Sequence, residues 1–334
     1  MSADSVTTDL APARPAGSRR VAAIDCGTNS IRLLIADLHH DGASLTEVDR
    51  RVQIVRLGQG VDQTGRLASD ALDRTFAATR DFAAAIEAVG GVERIRFVAT
   101  SATRDAENRD AFFDGIDSIL GVTPEVVSGD EEAALSFRGA TGGVSIGHEA
   151  PYLVVDLGGG STELVLGTDA PHAAFSMNVG SVRLTERHLH SDPPTDAEIA
   201  AASDDVAAAL DEALAVVPVG QAATIIGLAG SVTSLTAFSL GLSSYDRSRV
   251  DGATFTPAQV RAFCDDMLHM SRDQRRALGF MQPGRIDVIG AGALIWAEVV
   301  SRVEAQVAAT GRTLTTVTTS EHDILDGIAL SMGG

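Results

Sequence analysis

Apolar and polar positions alternate in short blocks along most of the chain, and the period of each block predicts an element. Residues 21–26 and 31–37 are apolar runs separated by the small polar turn Gly27-Thr28-Asn29-Ser30, the pattern of a β-hairpin. A third strand is expected over 45–57. Leu72, Phe76, Thr79, Ala83 and Ile86 fall three and four apart, which predicts a helix that stops near Gly90-Gly91. Strands near 95–99 and 124–127 then bracket a helix near 106–119. Farther along come a strand near 173–178, a helix near 181–189 and, after the break at Pro193-Pro194-Thr195, a long helix marked by Ile199, Ala202, Val206, Leu210, Ala213 and Val217. A strand at 224–228 turns through Gly230-Ser231 into another helix. Helices follow near 257–269, 272–278 and 286–307, with a strand at 314–319 and a helix at 322–331 at the end. Alternating strands and helices predict an α/β fold.

One of these blocks occurs twice. IDCGTNSIRLLI at 24–35 aligns without gaps on VDLGGGSTELVL at 155–166, pairing Ile24, Asp25, Gly27, Ser30 and Leu33 with Val155, Asp156, Gly158, Ser161 and Leu164. Each copy is a strand ending in Asp, a small-residue turn and a second strand, and each opens an α/β segment of similar length. The expectation is a duplicated, two-lobe architecture with the turns facing each other across an interdomain cleft. Its parts are a flexible tail over 1–20, a first lobe over 21–133 plus 315–334, and a second lobe over 134–314.

Composition narrows the chemistry. The chain has 334 residues, 45% hydrophobic and 21% charged, enough for large cores without disulfide or metal staples. Its net charge of −19 argues against a nucleic-acid partner, which needs a basic face. All 26 Lys+Arg positions are arginine, and the absence of lysine removes the P-loop lysine, the protein-kinase lysine and every Schiff-base mechanism. Cys26 and Cys264 supply neither a disulfide framework nor a zinc spacing, so a reducing cytoplasm is expected. No apolar run reaches the roughly 18 residues of a membrane span, so no membrane partner is expected.

Turns rich in Gly, Ser and Thr expose backbone N–H groups that hold phosphate oxygens without lysine. Gly27, Thr28, Asn29 and Ser30 form one such turn; Gly158, Gly159, Gly160, Ser161 and Thr162 form the other. A single turn of this kind is usually only a tight β-turn, and duplication is what raises the phosphate reading. Asp156 ends a strand and Glu163 begins the next, so the hairpin brings two carboxylates to one mouth of the sheet, a donor set suited to Mg2+. The alternative is that Asp156 merely satisfies turn amides. Arg32 occupies the place of Glu163 in the first copy, as a bidentate phosphate binder. Asp130, Glu131 and Glu132 open a helix, where dipole effects alone favour acids. Glu132, however, shares a face with the small residues Ser136 and Gly139, which makes it the candidate general base. Arg104 and Arg109 lie just past a strand end, where α/β ligand sites gather. The histidines show no H-E-x-x-H pattern and the serines no G-x-S-x-G elbow.

On AIDCGTNSIRLLI, TSATRDAENRDAF, VVSGDEEAALSF, VVDLGGGSTELVLG, NVGSVRLTERHL, GLAGSVTSL, GRIDVIGAGALI and SEHDILDGIAL, in that order, the sequence resembles the exopolyphosphatase and guanosine-pentaphosphate phosphatase family. That family belongs to the actin-like, sugar-kinase and heat-shock-ATPase superfamily, so the resemblance implies a duplicated actin-like, ribonuclease H-like fold. It also implies that Glu132 activates water, that Asp156 and Glu163 hold Mg2+ with Asp25 nearby, and that Gly27 to Ser30, Arg32, Arg104 and Gly158 to Thr162 bind phosphate, with Arg285 a weaker addition. The implied activity is release of terminal phosphate from inorganic polyphosphate. Hydrolysis of the 5′ γ-phosphate of guanosine pentaphosphate is the nearest rival; an actin-like small-molecule kinase and a silent polyphosphate or alarmone sensor are the others. Long members continue into a helical histidine/aspartate-type domain, and this chain looks like a short, two-domain member, with a homodimer left open.

Overall fold

The structure, a computed structural model, describes residues 14–42, 44–142 and 147–333. Most of the tail expected over 1–20 lies outside the described residues, and the first strand already begins at Arg19. The first lobe contains β1 (Arg19–Cys26), β2 (Ser30–Leu38), β3 (Leu45–Ile54), α1 (Val61–Thr64), α2 (Ser69–Ala88), β4 (Arg94–Ala99), α3 (Ser101–Asp105), α4 (Arg109–Leu120) and β5 (Glu125–Val126). The helix α5 (Gly129–Gly142) leads into the second lobe, which holds β6 (Tyr152–Leu157), β7 (Thr162–Gly167), β8 (Pro171–Met177), α6 (Ser181–His188), α7 (Asp196–Val216), β9 (Thr224–Leu228) and α8 (Ala229–Ser239). After these come α9 (Arg247–Val250), β10 (Thr254–Phe255), α10 (Pro257–His269), α11 (Arg272–Arg276), α12 (Ile289–Ala309), β11 (Val317–Thr319) and α13 (Ile324–Ser331).

The duplication predicted from the repeat governs the topology. The first sheet runs β3-β2-β1-β4-β5; in the second, β8-β7-β6-β9-β11 repeats that order and β10 adds one edge strand. In both, an antiparallel three-stranded meander is extended by parallel strands, and the repeated hairpin supplies the two central members. This is the expected duplicated, two-lobe α/β fold.

The elements form where local chemistry favours them. Helix α7 starts on a capping box in which Thr195 accepts from the Glu198 amide and Glu198 reaches back, and it buries Ala202, Val206, Leu210 and Ala213 against the second sheet. Helix α10 starts likewise on Thr256 and Gln259, with Pro257 in its first turn. On the first sheet, Leu72, Phe82 and Ile86 of α2 join Phe112 and Ile116 of α4 over one face, while Ile324, Leu325 and Ile328 of α13 cover the other.

Two crossings of the chain depart from the expected lobe boundaries. Helix α5 is not divided at residue 133: Ala133, Phe137 and Ala140 pack on Val154, Val165 and Ile226 of the second sheet. The terminal segment 315–334 also splits, because β11 pairs with β9 in the second sheet whereas α13 packs on the first. Each sheet thereby receives a covering helix, and the two helices cross at Gly139 and Gly327. A Cβ at Gly139 would overlap the Asp323 carbonyl oxygen, and one at Gly327 would overlap that of Leu135. Gly139 therefore makes room for another helix, not for a ligand as its place on the Glu132 face suggests.

Polar contacts also tie the lobes together. Arg183 of α6 bonds Asp62 at 2.9 Å and Asp105 at 2.6 Å, Arg187 bonds Asp62 at 2.8 Å, and Arg56 reaches Asp287 at 2.7 Å.

Alanine at Gly139 gains up to about 1 kcal/mol of helix propensity. Overpacking against a backbone that cannot yield costs about 1–3 kcal/mol. Gly139→Ala and Gly327→Ala are therefore each expected to lower the unfolding free energy by a net 1–2 kcal/mol or so, and with it the denaturant midpoint. A raised midpoint in both would mean that the helices do not approach this closely.

Candidate active site

Both repeated hairpins close in the same way. Gly27 N–H donates to Ser30 O at 3.0 Å, and Gly158 N–H donates to Ser161 O at 3.0 Å. The turns then meet: a Cβ at Gly159 would press on Thr28 and Asn29, and one at Gly160 on Thr28 and Ser101. Thr28 and Ser101 share a hydrogen bond of 2.9 Å beside this contact. Around it lies a cleft, open to solvent and lined by both turns together with Asp25, Arg32, Glu132, Asp156, Glu163, Ser231 and Arg285. The Asn29 side-chain oxygen, in the same lining, is buried without a hydrogen-bond partner.

The acids gather on one side. Asp156 and Glu163 are cross-strand partners on β6 and β7, so their side chains share a face of the sheet. Ser136 Oγ of α5 donates to Asp156 Oδ2 at 2.5 Å, and Ser176 Oγ of β8 donates to Glu163 Oε1 at 2.7 Å. Glu132 projects from α5 and is 7% exposed; Arg104 Nη1 bonds its Oε2 at 3.2 Å and the Val127 carbonyl at 2.9 Å.

Burying these carboxylates together raises their proton affinity. Glu132 is pushed well above the usual range by burial and then by the charge of Glu163, against the pull of Arg104. Burial and the charge of Asp323 raise Asp156 to about 6, opposed by the Ser136 hydrogen bond. Burial and Asp156 raise Glu163 to about 7, opposed by Ser176.

The Ppx/GppA phosphatase family model matches residues 35–317. The chain belongs to this family. It is 48% identical over 325 residues to Exopolyphosphatase 2 of Mycobacterium tuberculosis, covering 94% of this chain and 99% of that protein. A crystal structure titled as an exopolyphosphatase-like protein superposes with a TM-score of 0.91 at 50% identity, covering 95% of this chain and 98% of the other. A guanosine-5′-triphosphate,3′-diphosphate pyrophosphatase of Pseudoalteromonas atlantica is 34% identical over 184 residues, 55% of this chain and 36% of that protein.

In this Ppx/GppA protein several residues take places that the sequence reading did not give them. Thr162 does not reach the cleft: it is fully buried, and its Oγ1 donates to Val179 O at 2.7 Å. The cause is strand alternation, since Glu163 faces the cleft and its neighbour must face the opposite way. Arg32 lines the cleft but is engaged, donating from Nε and Nη2 to Asp25 Oδ2 at 2.9 and 2.7 Å and from Nη1 to Asp323. Asp25, expected beside the metal, thus has one oxygen committed to an arginine. Arg104 reaches the site through Glu132, while Arg109 sits exposed at the start of α4. Two residues at the site were not among those expected: Ser176, which stands opposite Glu163 in the β7–β8 register, and Asp323, whose D-x-x-D spacing before an apolar run is a helix-cap signal.

Among the described residues no group of three or more His, Cys, Asp or Glu side chains is arranged to hold a metal alone. Mg2+ needs no such cage, because it usually binds one or two carboxylates and fills its remaining positions with water and substrate phosphate. The paired, poorly compensated Asp156 and Glu163 fit that requirement.

The raised affinities set a pH signature in the absence of divalent cations. Between about pH 4, the usual carboxylate range, and about pH 7, the value reached by Glu163, this side chain binds more proton in the folded state than in the unfolded one. Its contribution to stability therefore falls as pH rises through that window. Glu163→Gln removes part of this loss, so it is expected to gain on the parent between pH 5 and pH 8 by an amount on the order of 1–3 kcal/mol. Paired urea melts check this, and a pH-independent difference would mean that Glu163 titrates normally.

Proposed function

We propose that the chain is an exopolyphosphatase, releasing terminal phosphate from inorganic polyphosphate by attack of water. The observation that carries this reading is Glu132: a buried carboxylate of raised proton affinity, steadied by Arg104, in a cleft lined by two glycine turns. A group with that affinity accepts a proton from water near neutral pH far better than an ordinary glutamate. The turn amides and the cleft arginines hold the anionic end, a task open to arginine in a chain without lysine. A magnesium ion held by Asp156 and Glu163 would neutralise charge on the phosphate oxygens when bound. The water oxygen bonds to the terminal phosphorus as Glu132 takes its proton, and the bridging oxygen departs with the shortened chain.

The likeness to Exopolyphosphatase 2 over nearly the full length of both proteins favours polyphosphate. The partial likeness to a guanosine-5′-triphosphate,3′-diphosphate pyrophosphatase makes guanosine pentaphosphate the second substrate to try. Two buried free cysteines suit a reducing cytoplasm, and among the described residues no helix is long and apolar enough to cross a membrane. A homodimer completes the proposal.

Phosphate release from defined-length polyphosphates and from guanosine pentaphosphate, with and without Mg2+, tests this reading. Release from polyphosphate that needs Mg2+ is expected; release from guanosine pentaphosphate alone would overturn the substrate assignment. Glu132→Gln is expected to lower kcat by roughly a hundredfold or more with KM little changed, because volume and most hydrogen bonding are kept while the base is lost. Arg104→Gln removes the cation that lowers the proton affinity of Glu132, so it should move the acid limb of the kcat/KM profile to higher pH. Turnover of Glu132→Gln within a few-fold of the parent would place the base elsewhere.

A further inference from the structure

We infer that Asp323 is a positioning residue that competes with substrate phosphate for Arg32 and thereby sets the affinity of the cleft for phosphate anions. This rests on the hydrolase reading above. Arg32 and Asp25 face each other as cross-strand partners on β1 and β2, so their ion pair is built into the first hairpin. Asp25 takes the Nε and Nη2 edge of the guanidinium, at 2.9 and 2.7 Å. The remaining edge is the one a phosphate oxygen would approach. Its Nη1 instead meets Asp323 Oδ2, brought from the other end of the chain by the N-cap of α13.

The two oxygens of Asp323 have separate tasks. Oδ1 accepts from the Leu325 amide at 3.0 Å and caps α13, while Oδ2 holds Arg32. Letting go of Arg32 therefore does not require giving up the helix cap. Asp25 alone balances the charge of Arg32; Asp323 adds a second negative charge to a buried cluster and raises the proton affinity of Asp156 as well. An incoming phosphate must displace this internal anion and overcome its field. Arg285, in the same lining, shows the contrast: it donates to the Gly230 carbonyl at 2.9 Å and Ser234 Oγ at 3.1 Å, both neutral oxygens.

The test uses Asp323→Asn, which keeps the volume and the capping oxygen but removes the charge, and Asp323→Ser, which keeps a cap but is too short for Arg32. Both are expected to lower KM for tripolyphosphate and the inhibition constant of orthophosphate together, by roughly fivefold or more, with kcat changed less. Adding Arg32→Gln to Asp323→Asn should erase the gain, because the two changes act on one contact. An unchanged or raised KM in variants with parental melting temperatures would overturn the proposal and leave Asp323 a helix cap only. Calorimetric binding of orthophosphate reads the guanidinium without chemistry. A parent that binds orthophosphate but does not release it from polyphosphate would count against the hydrolase reading alone.

Discussion

The backbone of the second hairpin turn lies directly on the first, and the rest of the site follows from that approach. Gly159 and Gly160 press on Thr28, Gly180 presses on Gly159, and Gly58 leaves no room for a side chain beside Thr28 and Ala102. Any larger residue at Gly159 or Gly160 would hold the lobes apart, while one at Gly180 or Gly58 would push against the turn of its own lobe. Because the turns meet at the carboxyl ends of β1 and β6, the acids that end those strands, Asp25 and Asp156, arrive at the same cleft. The duplicated sheet order is what brings two copies of one turn face to face.

The cost of this arrangement is electrostatic. Asp156, Glu163 and Glu132 are all buried, and the cations that answer them are few and partly spoken for. Serine hydroxyls at 136 and 176 ease the cost by one hydrogen bond each, at 2.5 and 2.7 Å, without adding charge. What remains is a poorly compensated negative pair beside the two glycine turns. Under the proposed function, a divalent cation and a phosphate arriving together would each cancel what repels the other.

The parts of the fold that a reader of the sequence could see were those written in repeats and periods. The twelve-residue match between 24–35 and 155–166 led to the duplicated sheets, and the spacing of Ala202, Val206, Leu210 and Ala213 led to α7. What could not be read was set by contacts distant in sequence. The three residues of β11 carry no period that says which sheet they join, and only the tertiary pairing with β9 decides it. The occupation of the Nη1 edge of Arg32 depends on an aspartate 291 positions away. The inward turn of Thr162 was legible in principle, because alternation from Glu163 demands it, and was hidden by its membership of a glycine-rich motif.

In the proposed reaction, water activated in this cleft cleaves the terminal phosphoanhydride of polyphosphate. The most direct measurement is turnover of tripolyphosphate in heavy-oxygen water, followed by mass spectrometry of the products over a single round. The account predicts one solvent oxygen in the released orthophosphate, none in the pyrophosphate left behind, and no requirement for a nucleotide acceptor. Label in the pyrophosphate, or release that begins only when an acceptor is supplied, would contradict it.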